Sequence, residues 1–267
     1  MQDASTPPSA GEHAVPPMSF TEKMTNIFAS PGELYENVRD TGPTASNWIV
    51  PLILFIVIAF VTSQITMRNP SLASQLKDQI SQQTEKSFQE AIQSGKMTPE
   101  QAEQSRQQME RFTDPSSPWM MITTAGSLVI VVPIGLFLVC LVYWLLGKTV
   151  MKSASPYMKV VEVVGLTFFI GCVEAIVTVI MAIGFDKLHA GPNLALAVLG
   201  NFSLENKFHI LLSKVNVFTI WSLVVTSIGL SKIFSKDLNK VLVLVFALWI
   251  LWVVFLLITG LGARFGG

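Results

Sequence analysis

Five long tracts of this sequence carry almost no charge, and they constrain its fold more than any other feature. Residues 48–67 have no charged side chain, and neither has the interval between Asp114 and Lys148. Between Lys159 and Asp186 the charged residues are Glu162 and Glu174 alone, and there are none between Lys214 and Lys232 or between Lys240 and Arg264. A bilayer core is about 30 Å thick, so a helix of about 20 mostly apolar residues crosses it. With their flanking residues, all five tracts reach that length. A buried helix of a soluble protein keeps a polar stripe at helical period, whereas residues 241–257 are apolar on every face. Charged residues make up 13% of the 267 and hydrophobic ones 51%, against roughly 25% charged in a soluble globular chain.

The expected fold is therefore all-α: a polytopic membrane helical bundle of about five transmembrane helices, with a polar helical hairpin between spans one and two. Span one covers 48–67, the hairpin 68–118, and a four-span membrane core 119–262, with spans at about 119–146, 160–185, 213–233 and 241–262. Span three carries its mid-span Glu174 without losing insertion. Each Val, Ile, Leu or Phe contributes about −0.3 to −0.6 kcal/mol, a central acid costs about 3 kcal/mol, and roughly fifteen such apolar residues outweigh it. Residues 1–18 are polar and Pro-rich with no apolar core, so they read as a disordered tail rather than a signal peptide. Cys140 and Cys172 fall inside spans without a Cys-x-x-Cys neighbour and read as small packing residues. A formal net charge of zero gives a nucleic-acid partner no electrostatic support.

Short loops fix the orientation, because Lys and Arg are retained on the cytoplasmic side. The loop 147–159 carries Lys148, Lys152 and Lys159 with no acid, and 231–240 carries Lys232, Lys236 and Lys240 against Asp237. Both are expected in the cytoplasm, with the N-terminus, and the hairpin on the other side. In a prokaryote the membrane would be the plasma (inner) membrane.

Residues 19–47 read as two cytoplasmic amphipathic helices. Ser19 and Glu22 have the spacing of a capping box, and Phe20, Met24, Ile27 and Phe28 share one face. Ser30-Pro31-Gly32-Glu33 is a second helix start, and Thr41-Gly42-Pro43 a stop. This pair either lies in the interface or packs on the bundle ends. In the hairpin, Leu72, Leu76, Ile80, Phe88 and Ile92 keep a thin apolar face, Ser94-Gly95 closes the first helix and Thr98-Pro99-Glu100-Gln101 opens the second. Its Gln and Glu content suits a solvated spacer or contact surface. Residues 186–214 either dip into the outer interface or cover the bundle.

The sequence holds no His-Glu-x-x-His, Gly-x-Ser-x-Gly or phosphate-binding Gly-x-x-x-x-Gly-Lys, and its three histidines lack metal-ligand spacing. No catalytic residue, cofactor or metal is expected, and the chain does not read as an enzyme. Glu174 is the candidate that matters most, since an ionisable side chain within a span normally faces the bundle interior. It is expected to be neutral and to donate a hydrogen bond to a neighbouring helix. Glu162, near Lys159, reads as a snorkelling end residue. Thr219, Ser222, Thr226 and Gly229 form a stripe of small or hydroxylated residues for close helix packing, and Pro133 is a candidate hinge.

Three segments carry a family resemblance. They are Phe28-Ala29-Ser30-Pro31-Gly32-Glu33-Leu34-Tyr35, Asn47-Trp48-Ile49-Val50-Pro51-Leu52, and Val215-Asn216-Val217-Phe218-Thr219-Ile220-Trp221-Ser222-Leu223 running to Gly229-Leu230. In this order the chain resembles the Yip membrane-protein family, whose eukaryotic members are named for interacting with Ypt/Rab GTPases, over about residues 20–260. The resemblance implies five spans and a cytoplasmic N-terminus. The Asp-Leu-Tyr-Gly-Pro signature of the trafficking branch is absent, and the polar hairpin looks like the insertion of prokaryotic relatives. The function expected is that of a non-enzymatic multi-pass membrane protein acting through membrane lipid, other membrane proteins or itself, in membrane organisation or a trafficking-like role. The alternative is a small transporter or channel using Glu174. A single Cys placed at Gln93 and another at Ser153 should be labelled by an impermeant reagent from opposite sides of the membrane; labelling of both from one side contradicts the orientation.

Overall fold

The computed structural model describes residues 16–112 and 117–263. Of the expected disordered tail, residues 1–15 lie outside the described residues. Residues 16–18 are held: the Met18 N–H donates to Asn37 Oδ1 (3.0 Å), and Asn37 Nδ2 donates to the Pro16 carbonyl (2.9 Å).

Among the described residues the regular elements are helices, with one isolated antiparallel bridge between Asn193 and Asn216. Two short helices, α1 (Phe20–Ala29) and α2 (Pro31–Asp40), lead into α3 (Ser46–Arg68). The hairpin is α4 (Pro70–Gln93) and α5 (Pro99–Phe112), followed by α6 (Pro118–Thr149). Then come α7 (Tyr157–Leu166), α8 (Phe168–Phe185), a 3-10 stretch Leu194–Asn201, α9 (Lys207–Lys214), α10 (Val217–Phe234) and α11 (Leu238–Thr259). Five helical segments are long and apolar enough to cross a membrane: α3, α6, the α7–α8 pair, α10 and α11. Their outward faces are apolar, as at Val243 and Ile258, which are 71% and 74% exposed. A surface of that kind suits lipid rather than water.

The third span is broken at Thr167, whose hydroxyl donates to the Val164 carbonyl (2.7 Å). Such back-bonding competes with the helix ladder and bends it. The first half, α7, is the centre of the bundle. Lys159 through Val163, Gly165 and Leu166 are buried, with α3, α6, α10 and α2 packed around them. Glycines permit three close approaches: a Cβ on Gly165 would overlap the Trp48 side chain, one on Gly229 would overlap Val163 and press on the Tyr35 ring, and one on Gly147 would overlap the Phe234 ring.

Helices α1 and α2 pack on the end of this bundle. Ile27, Leu34, Tyr35 and Val38 are fully buried, and the Tyr35 hydroxyl donates to the Val163 carbonyl (3.0 Å). That burial pushes the Tyr35 phenol well above its ordinary pKa. The buried face of α1 is rotated from the expected stripe. Lys23 and Ile27 point inward, whereas Phe20 and Met24 are 43% and 38% exposed. Lys232 of α10 donates to Glu36 of α2, and this hydrogen bond holds the Glu36 carboxyl below the usual range. The Lys-bearing loops and α1–α2 therefore share one end of the molecule. Lys159 is not part of that loop charge, because it is buried in the first turn of α7.

The hairpin occupies the opposite end. Arg106 of α5 makes two hydrogen bonds to Glu85 of α4 (2.8 and 2.9 Å). Gln75 of α4 donates to the Asp186 carbonyl (3.1 Å) and accepts from the Leu188 N–H (3.0 Å), so α4 lies against the 186–214 segment. The two arms of that segment are tied to each other at the start of α10. The Leu194 N–H donates to the Val215 carbonyl, and the Val217 N–H to the Pro192 carbonyl, beside Gly191 packed on Thr178 of α8.

Candidate functional site

Two groups of polar side chains lie inside the bundle, and they differ in whether they are closed. The first surrounds α7. Lys159 and Glu162 are one helical turn apart, with the Lys159 ammonium 3.3 Å from Glu162 Oε1. Lys159 also donates to the Val38 carbonyl at the end of α2. Asn47, at the start of α3, donates to Glu162 Oε2, and Lys23 of α1 donates to Asn47 Oδ1 (2.8 Å). All four side chains are nearly inaccessible, Glu162 at 1% and the others at 3–6%. Burial holds the Lys23 ammonium below the ordinary lysine range, opposed by the charge of Glu162 and reinforced by that of Lys159. Glu162 is thus no snorkelling end residue: Asn47 and Lys159 supply partners that make its burial tolerable. Removing either partner of the Lys159–Glu162 pair leaves an uncompensated buried charge, at a cost of about 3–5 kcal/mol.

The second group is open and centres on Glu174. Asn216 caps α10, its Oδ1 accepting from the Phe218 N–H (2.8 Å), while its Nδ2 donates to Glu174 Oε1 (2.7 Å). One side chain therefore both starts a span and binds the acid of its neighbour. Glu174 accepts in this contact, where the sequence suggested that it donates. It faces a cavity of about 580 Å³ between α8, α10 and α11, within the range of about 300–1,000 Å³ typical of ligand sites. Thr178 and Thr219 line it on the two sides of Glu174, and Asn193, Ser213 and Lys214 at its hairpin end. The α11 wall is Trp249, Trp252, Val253 and Leu256. Burial holds the Lys214 ammonium below its ordinary range. A basic side chain thus lines the same cavity as Glu174. Such a site suits charged or hydrogen-bonding groups of a partner. Among the described residues no three His, Cys, Asp or Glu side chains are grouped to hold a metal ion.

The small-residue stripe on α10 is divided between these environments. Thr219 lines the cavity, Ser222 is half-buried, and Thr226 and Gly229 are buried, the latter against Val163 and Tyr35. Pro133 is half-buried within α6, which continues unbroken through it. Sequence reasoning missed Lys23, Asn47 and Lys159. The Lys159/Glu162 spacing of three was a visible signal, whereas the partners from α1 and α3 are far away in the chain.

The sequence pattern of the Yip1 domain matches residues 25–260. No curated protein and no solved structure matches the chain. Because Asn216 needs only an accepting oxygen, Glu174→Gln should preserve folding and abundance. Glu174→Leu should lose about 0.6–2 kcal/mol, the usual range for a hydrogen bond between membrane helices, and should lower abundance in the membrane fraction. Equal loss in both variants would show that the carboxylate charge, not the contact, holds the fold.

Proposed function

This chain belongs to the Yip1 domain family, and on that footing we propose that it is a non-enzymatic multi-pass protein that works by holding membrane partners, whether other membrane proteins or lipid. The observation that carries this reading is that the Glu174 cavity is a dead end. Toward the α1–α2 side it gives way to packed core: Leu166, Phe169 and Ile170 of the third span and Val225 and Leu230 of α10 are 0–3% exposed. Beyond them lies the closed network of Lys23, Asn47, Lys159 and Glu162. A conduit needs polar groups spaced along a path through the bilayer, and here neither the third span between Glu162 and Glu174 nor α10 between Asn216 and Lys232 carries a charged residue, while the buried Ser227 and Ser231 hydroxyls are turned back onto carbonyls of their own helix. A cleft open on one side can hold a group without passing it on. The orientation belongs to the same reading: the α1–α2 end, with Lys148, Lys152, Lys232 and Lys236, faces the cytoplasm by the positive-inside rule.

The test is a photoreactive aromatic residue in place of Trp252, which lines the cavity and is 56% exposed. Irradiation in native membranes should give a covalent protein or lipid adduct in clear excess over the same probe at Ile130, a lipid-facing control 60% exposed. Equal labelling at the two positions, together with a proton flux in liposomes that Glu174→Gln abolishes, would replace the holding function with transport.

A further inference from the structure

We propose that the Glu174 cleft receives the headgroup of a phospholipid bearing a primary ammonium beside its phosphate, entering sideways from the leaflet on the hairpin side. This deepens the reading above and rests on it, naming the partner class for that cleft. Four observations converge on this chemistry.

The first is charge complementarity. An acid, Glu174, and an amine, Lys214, line one cavity and match the ammonium and the phosphate of a zwitterionic headgroup, whereas an anionic headgroup has no ammonium to offer Glu174. The second is the state of the acid. Asn216 occupies Oε1 from one side, and a carboxylate has room for further donors. A primary ammonium brings three N–H donors. The third is the aromatic wall, since Trp249 and Trp252 line the cavity and indole faces attract cations within about 6 Å.

The fourth is depth and access. The cleft is level with the start of α10, because Asn216 both caps that helix and binds Glu174. Headgroups of the hairpin-side leaflet reach the level of a span's end, where tryptophans concentrate. Trp252 borders the cavity and is also 56% exposed on the outward face of α11, so the mouth opens toward lipid. The Asn193 amide and the Thr178 hydroxyl line the same cavity and supply donors that suit a phosphate beside Lys214.

The test uses the full chain purified in detergent and offered equal amounts of phosphatidylethanolamine, its mono-, di- and trimethylated forms, and phosphatidylglycerol, all with the same acyl chains. Retained lipid is read by native mass spectrometry. Phosphatidylethanolamine should be retained about tenfold over phosphatidylcholine and phosphatidylglycerol, declining stepwise with methylation as N–H donors are lost. Glu174→Gln should bring the ratio close to one, whereas Glu36→Gln, remote on α2, should leave it unchanged. The methylation series keeps the test independent of any variant that fails to fold. Equal retention of all five lipids, preference for phosphatidylglycerol, or a preference that survives Glu174→Gln would overturn the proposal. If the Trp252 probe then captures a membrane protein, the holding function stands with a different partner; if it captures nothing in excess of Ile130, both fall.

Discussion

A polar group buried in hydrocarbon must find its partner inside the protein, and the short helix α7 turns that requirement into the organising contact of the bundle. Lys159 and Glu162 sit on the most deeply packed helix of the molecule, where neither could remain unpaired. Their remaining bonds reach outward to the end of α2 through the Val38 carbonyl, to α3 through Asn47, and through Asn47 to Lys23 of α1. Segments far apart in the chain are thereby fixed at one point. The close packing of Gly165 on Trp48 and of Gly229 on Val163 and Tyr35 then sets the helix positions around it. Without the network, α1 would have only its apolar contacts with the bundle end, and α2 its apolar contacts together with the Tyr35–Val163 and Lys232–Glu36 hydrogen bonds.

The two interior polar groups divide the bundle into halves of different character. On the α1–α2 side, the charged side chains find hydrogen-bond or ion-pair partners within the protein and are nearly inaccessible. On the hairpin side, Glu174 has one protein donor and a cavity beside it. That contrast follows from where the chain enters α10. The Asn193–Asn216 bridge ties the 186–214 segment to the start of α10, and Asn193, Ser213 and Lys214 of that segment line the cleft between α8, α10 and α11.

Much of this architecture can be read from the residues, for identifiable physical reasons. Apolar length declares a span wherever it occurs, so the five membrane helices are legible. The Ser19–Glu22 capping box and the Thr98–Gln101 hydrogen bonds are local contacts that the sequence displays directly. Glu174 was legible because an acid within a span is conspicuous. What stayed hidden depends on partners distant in the chain. Lys159 looked like a loop charge and Glu162 like an end residue, because Asn47 and Lys23 approach them only in the fold. The inward turn of Lys23 has the same origin: the amphipathic pattern of α1 favours Phe20 and Met24, yet a charge-assisted hydrogen bond places Lys23 inside instead. The break at Thr167 was also missed, since one hydroxyl within an apolar run gives no signal of which carbonyl it will bind.

The central claim is that one buried network couples the first helices to the membrane core, and a double-mutant cycle across Asn47 and Glu162 tests it most directly. Asn47→Leu, Glu162→Leu and the double variant would be compared by thermal unfolding in detergent. Residues that share a network show interaction energies of about 0.5–3 kcal/mol, whereas independent sites add. The account predicts that each single variant loses stability and that the double variant loses clearly less than their sum. Strict additivity would contradict it.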